Sequence, residues 1–192
     1  MQRHHFWVLL AVSFGGARAQ APSDTATIPD PVAKIYGKAC AENWVVFGGG
    51  YHQTYLYIPR TIRTTEKGTK TVWGVNVQSM TGADSAADLQ TSRAAITEVR
   101  GNSHLGEATL QKYGRYLQTK VQWEVDCVHQ RVRILQCIDY DEDGNVLLSF
   151  EVPGTLEDPV PETNGEGLLR AFCNPAHRNY FRDLFNGAPP KR

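Results

Sequence analysis

The 192-residue sequence is poor in sulfur and has no surplus of charge: four cysteines, two methionines, and 20 basic against 20 acidic residues. A balanced chain gives no case for nucleic acid or an anionic membrane surface, since both select basic faces. There is no Cys-x-x-Cys pair. His52, His104, His129 and His177 lack the spacing of metal ligands, so each reads as a surface or turn histidine. No nucleophile motif is present, and no pattern places a carboxylate pair for acid–base work. After the first twenty residues, no apolar run approaches the roughly 20 residues that a membrane-spanning helix needs. These absences point away from an enzyme, and no cofactor is expected.

What is present begins with an address. Residues 1–19 combine Arg3, an apolar run from Phe6 to Phe14 and the small-residue ending Ala17-Arg18-Ala19. This is the pattern of a secretory signal peptide cleaved after Ala19, and its apolar run is too short to span. About 173 residues then remain, enough for one domain with a sizeable core. Cys40, Cys127, Cys137 and Cys173 all lie in that part. An even count in an exported chain predicts two disulfides, with three connectivities open. Cys127 with Cys137 is the least favoured. Along one strand they would stand roughly 30 Å apart, whereas a disulfide needs Cα atoms within about 7 Å.

The chain is organised around Tyr116–Val152. Leu117, Thr119, Val121, Trp123, Val125 and Cys127 alternate with polar residues, as in a strand with one buried face. Residues 131–138 are partly apolar on both faces, as in a central strand. The turn Asp141-Glu-Asp-Gly-Asn145 then leads to a third run, Val146–Val152. Three locally joined antiparallel strands follow from this pattern. Upstream, residues 20–41 read as a flexible leader and Trp44–Phe47 as a short strand ended by Gly48-Gly-Gly50. Those glycines lack the Lys-Ser/Thr of a phosphate loop. Tyr51–Ile58 is an aromatic strand stopped by Pro59, and a hairpin turns at Glu66-Lys-Gly68. Trp73, Val75 and Val77 mark the core face of its return strand. Residues 80–113 read as a long, partly mobile insert with a short helix near 92–99. Thr163-Asn-Gly-Glu166 matches a capping box for a helix that carries Leu168, Leu169, Phe172 and Cys173. A second short helix, 175–185, and a tail end the chain.

Over about residues 42–173 the chain resembles the surface-adhesin protein E family of Gram-negative bacteria. The resemblance rests on Trp44; on Tyr57-Ile-Pro59, Thr61-Ile-Arg63 and Val72-Trp73; on Val125-Asp-Cys127, Arg131–Leu135 and Tyr140-Asp-Glu-Asp-Gly144; and on the helix ending at Cys173. It implies an α+β fold: an antiparallel sheet of about six strands, with a C-terminal helix on one face tied by a Cys127–Cys173 disulfide. Cys40 and Cys137 are left to each other, a pair that the family pattern does not supply. The 80–113 insert, the segment after Cys173, and Tyr57-Ile where an acidic residue usually precedes the proline all depart from that pattern. The implied function is binding of a protein or glycan, which in the naming members is host extracellular matrix.

Candidate contacts are few. Tyr51, Tyr55 and Tyr57 could form an aromatic binding patch, or pack in the core. Arg115, Lys120, Arg131 and Arg133 could form a basic strip for acidic glycans, or a solvated strand face. Asp139, Asp141 and Asp143 with Gly144 spell half a calcium loop, but Phe150 stands where the bidentate Glu belongs. A sheet edge could support a homodimer. An envelope housekeeping subunit with a bacterial partner is the second reading, and a small-ligand carrier or enzyme the third.

Overall fold

The computed structural model describes residues 30–49, 53–78, 85–101 and 105–185. The signal-peptide segment, Tyr51, His52 and His104 lie outside them. In chain order the elements are α1 (Asp30–Ala41), β1 (Val45–Gly49), β2 (Gln53–Tyr57), β3 (Arg63–Thr64), β4 (Lys70–Gln78), α2 (Ser85–Gly101) and α3 (Glu107–Lys112). They continue with β5 (Tyr116–Asp126), β6 (Arg131–Asp141), β7 (Val146–Glu151), α4 (Asn164–Cys173), β8 (Asn179–Tyr180) and α5 (Phe181–Phe185). The strands form one antiparallel sheet in the order β7-β6-β5-β4-β2-β1-β8, with β3 also paired to β4. Six of them are five residues or longer, as the resemblance implied. The other two, β3 and β8, have two residues each.

Both faces of the sheet carry a core, and strand alternation decides which residues join which. On one face, Val45, Phe47, Tyr57, Val72, Val125 and Val132 pack against Leu168, Leu169, Ala171 and Phe172 of α4. On the other, Leu56, Val75 and Val77 pack against Val32, Ile35, Tyr36 and Ala39 of α1 and Phe181 of α5. Val72 is therefore as buried as Val75, although only the odd-numbered residues of β4 were expected to face a core. A bulge between Tyr116 and Gln118 also breaks the alternation of β5. It turns Leu117 into the α1-side core while Thr119 stays on the α4 side.

Four expectations are corrected. The expected leader is not without structure throughout, because residues 30–41 form α1. Val32, Ile35, Tyr36 and Ala39 recur at helical spacing and bury one stripe against the sheet. Within 80–113, α2 has 17 residues rather than about eight. Its side chains offer little apolar stripe, so hydrophobic period could not reveal it. The segment after Cys173 is a tight turn at Pro175–His177, then β8, then α5, not one helix. At the start of α4, Glu166 reaches back to the Glu162 N–H at 2.6 Å. Thr163 is the N-cap residue, but its hydroxyl donates to the Val160 carbonyl, so the capping box does not close.

Cys127 and Cys173 are joined, tying α4 to the end of β5 across 46 residues of sequence. Cys40 and Cys137 are both free, which removes the second expected disulfide. The sheet itself separates them. Cys137 is in register with Val121, which faces Gly74 and then Tyr57, so it points to the α4 side. Cys40 packs into the α1-side cluster.

Candidate binding surface

The residues singled out from the sequence scatter. Tyr57 is a core residue, 1% exposed, whose hydroxyl donates to the Ala171 carbonyl. Burial pushes its pKa up to about 12, with Arg178 pulling the other way. Tyr55 is half-buried against Phe47 and donates to Gln53 Oε1 at 2.8 Å. Burial raises its pKa and a hydrogen bond with Asn164 partly offsets this. The tyrosine patch is therefore part of the α4-side packing as far as the described residues go.

The arginines are spent inside the molecule. Arg131 pairs with Asp158 at 3.2 Å. Arg133 donates to Glu124 Oε2 at 2.7 Å and to the Gly154 carbonyl at 2.7 Å. Burial drives the Glu124 pKa up, but hydrogen bonds from Thr69 and Arg133 outweigh it and hold the carboxyl below its usual range. Arg115 pairs with Glu142 at 3.0 Å and Asp143 at 2.7 Å.

The three aspartates have separate occupations. Asp139 is fully buried and accepts from Arg100 Nε at 2.8 Å, the Tyr113 hydroxyl at 2.8 Å and the Thr119 hydroxyl at 2.6 Å. Asp141 braces its own turn by accepting from the Asp143 and Asn145 N–H groups and the Asn145 amide. Gly144, at φ +86°, supplies the left-handed residue that this turn needs. Asp143 is held by Arg115. Among the described residues no group of three acidic, histidine or cysteine side chains is placed to hold a metal.

One broad surface has no cover among the described residues. On the α1 side, Gln118, Lys120 and Gln122 of β5 stand in register with Tyr140, Ile138 and Gln136 of β6. Val146, Ser149 and Glu151 of β7 continue the three rows. The helices of that side pack mainly on β1, β2 and β4, with α2 also reaching β5; their core cluster takes only Leu117 from β5 and no residue from β6 or β7. Gln118, Lys120, Gln122, Gln136, Ile138 and Tyr140 are accordingly half-buried rather than buried. They form a sheet face with amides, one aromatic ring, one aliphatic side chain and one lysine.

Two shallow clefts lie elsewhere. One, about 390 Å³, sits beside the disulfide between Gln130, Glu166, Leu169 and Arg170. The other, about 520 Å³, lies between α2 and α3 near Arg93, Thr97 and Leu110. Neither gathers a nucleophile with a base.

The architecture defines an α+β module with a disulfide-tied helix on one side of an antiparallel sheet and a half-covered opposite side. Its sequence matches the family model of surface-adhesin protein E over residues 44–174, and the chain belongs to that family. The membership makes it adhesin-like. No curated protein and no solved structure matches it. No helix among the described residues is long and apolar enough to cross a membrane.

Lys120 was read as one of four strip residues, but its neighbours on this face, Ile138, Tyr140 and the three glutamines, were not singled out. The alternation of β5 and β6 placed them on one side. What hid them was the position of α1, whose coverage stops at β4.

Proposed function

We propose that the protein is an exported, non-enzymatic binding module, periplasmic or displayed at the cell surface, whose ligand is a protein or a glycan. The outer half of the α1-side sheet face, on β5, β6 and β7, is the binding surface. The observation that carries this reading is the half-covered sheet: a well-paired face whose polar and apolar side chains meet no partner layer among the described residues. Family membership supports a binding role, and the arrangement of ionised groups supports a non-enzymatic one. Asp139, Glu124 and Glu142 are each paired with arginine, which leaves none of them as a free base.

The test uses the mature chain against immobilised extracellular-matrix proteins and an array of neutral and acidic glycans. Two variants, Ile138→Trp and Ser149→Arg, place bulk on the face without touching either core. Each is expected to weaken binding at least tenfold with an unchanged melting temperature. Binding that survives both substitutions would move the ligand site elsewhere. A chain that binds nothing in either panel would end the adhesin-like reading.

A further inference from the structure

The face that the described residues leave open has a charged corner, and the charge there is unbalanced. Arg115, Arg131 and Arg133 each have a carboxylate partner. Lys120 has none among the described residues; its ammonium lies 4.6 Å from the centroid of the Tyr140 ring. Lys38 on α1 likewise makes no ion pair among the described residues. Arg60, in the turn after β2, contacts Glu42 Oε2 at 3.1 Å, and that same oxygen accepts from the Trp44 indole at 2.9 Å. Glu42 follows Lys38 by one helical turn, which seats Arg60 at the end of α1 beside Lys38.

Register ties this cluster to the strand. Ile58, two residues before Arg60, donates to the Trp73 carbonyl, and Trp73 is paired with Gln122, next to Lys120 on this face. Burial lowers the pKa of Lys120, and the charges of Lys38 and Arg60 lower it further, in keeping with their place beside it. Glu42 offsets one of them. Glu124 is held by Arg133 and Thr69. Glu151 stands two strands away from Lys120, behind Gln136. The corner therefore keeps a net positive charge that no side chain among the described residues neutralises.

We propose that Lys38, Arg60 and Lys120 bind the anionic group of an acidic glycan, a sulfate or a carboxylate. This rests on the β5–β7 face being the ligand surface, and it names the ligand class. Charge complementarity selects an anion. The neighbouring side chains select a sugar over an acidic peptide. Gln122 carries a donor and an acceptor, and Gln136, whose Nε2 donates to Ser149 Oγ at 3.1 Å, keeps an acceptor; both suit a hydroxyl-rich chain. Protein partners anchor through aromatic side chains in desolvated pockets, and the two clefts described above lie away from the face.

The experiment titrates the mature chain with a sulfated heparin oligosaccharide, a carboxylated polygalacturonate oligosaccharide, neutral dextran and sodium sulfate. One or both acidic oligosaccharides are expected to bind, more weakly as salt rises, while dextran does not bind. The comparison of the two identifies sulfate or carboxylate as the recognised group. Lys120→Gln and Lys38→Gln are each expected to weaken binding about tenfold without moving the melting temperature. Lys112→Gln, on the exposed side of α3, is expected to change nothing. Binding of sodium sulfate as tight as that of the oligosaccharide would reduce the site to a simple anion site and overturn the glycan. Acidic binding that ignores both lysine substitutions would also overturn it. If no acidic sugar binds while Ile138→Trp still blocks another ligand, this inference falls and the binding face stands. If nothing binds at all, both fall.

Discussion

Two helices, α4 and α2, are fastened to the sheet by opposite means. α4 lies on β1 with Leu168, Leu169, Ala171 and Phe172 buried, and a disulfide closes its last turn. Its approach is so close that a Cβ on Gly167 would lie 2.1 Å from the Phe47 carbonyl oxygen. α2 begins with Leu89 in the α1-side cluster and reaches Asp139 on the opposite side through Arg100 near its end, so it crosses the end of the sheet. There the contact is polar: Arg100, Tyr113 and Thr119 converge on one buried carboxylate, and Arg100 stacks 4.8 Å from the Phe150 ring centroid. Arg93 adds a bond to the Tyr116 carbonyl and an ion pair with Glu142. The lesson is that an apolar attachment depends on shape, whereas a buried ionic one depends on every member being present.

The largest effect is expected from breaking the polar attachment. Asp139→Ala strands Arg100 and two hydroxyl groups, and removing one partner of a buried ion pair costs about 3–5 kcal/mol. Thermal melting should fall by roughly 10 °C for a domain of this size. Amide hydrogen exchange should show α2 losing protection while α4 keeps it. Equal loss in both helices would mean that they are one cooperative unit.

Gly167→Ala is the matching attack on α4. The added methyl forces the helix off β1, and overpacking of this kind costs about 1–3 kcal/mol. Exchange should now rise in α4 and β1 and spare α2. An unchanged melting temperature would show that α4 does not press on the Phe47 carbonyl.

Acid should sharpen the contrast by a smaller amount. Hydrogen bonds from Arg115 and Arg93 hold the Glu142 pKa below its usual range, although burial opposes them. A carboxyl with a lowered folded pKa contributes stability fully above its unfolded pKa of about 4.3 and loses it as pH falls through the folded value. Glu142 is partly exposed, so its share is less than about 1 kcal/mol. Between pH 6 and pH 3, protection relative to the intrinsic exchange rate should therefore fall in α2 before α4, whose sheet contacts are apolar. Simultaneous loss would contradict this assignment.

Much of the α4 region was legible in the chain. Leu168, Leu169 and Phe172 form a helical stripe, and Cys127 and Cys173 stand at the ends of their elements. The α1 stripe was also there, at Val32, Ile35, Tyr36 and Ala39, but was masked by the Pro- and Ala-rich composition just before it. The attachment of α2 was not legible. Arg100 and Asp139 are 39 residues apart, and no periodicity links a charge on one element to a charge on another. The same holds for the candidate site: Lys120 was visible as a strand residue, while Lys38 and Arg60 come from elements that meet it only through folding.

Local pattern was enough for the strands of the central hairpins, the turn at Gly144 and the C-terminal helix, because side-chain period and turn chemistry act over a few residues. The separation of Cys40 from Cys137, the burial of Tyr57 and Val72, and the partial coverage of the β5–β7 face could not be had that way. They depend on which side of the sheet each helix covers and how far it reaches, and that is set by packing between segments far apart in the chain.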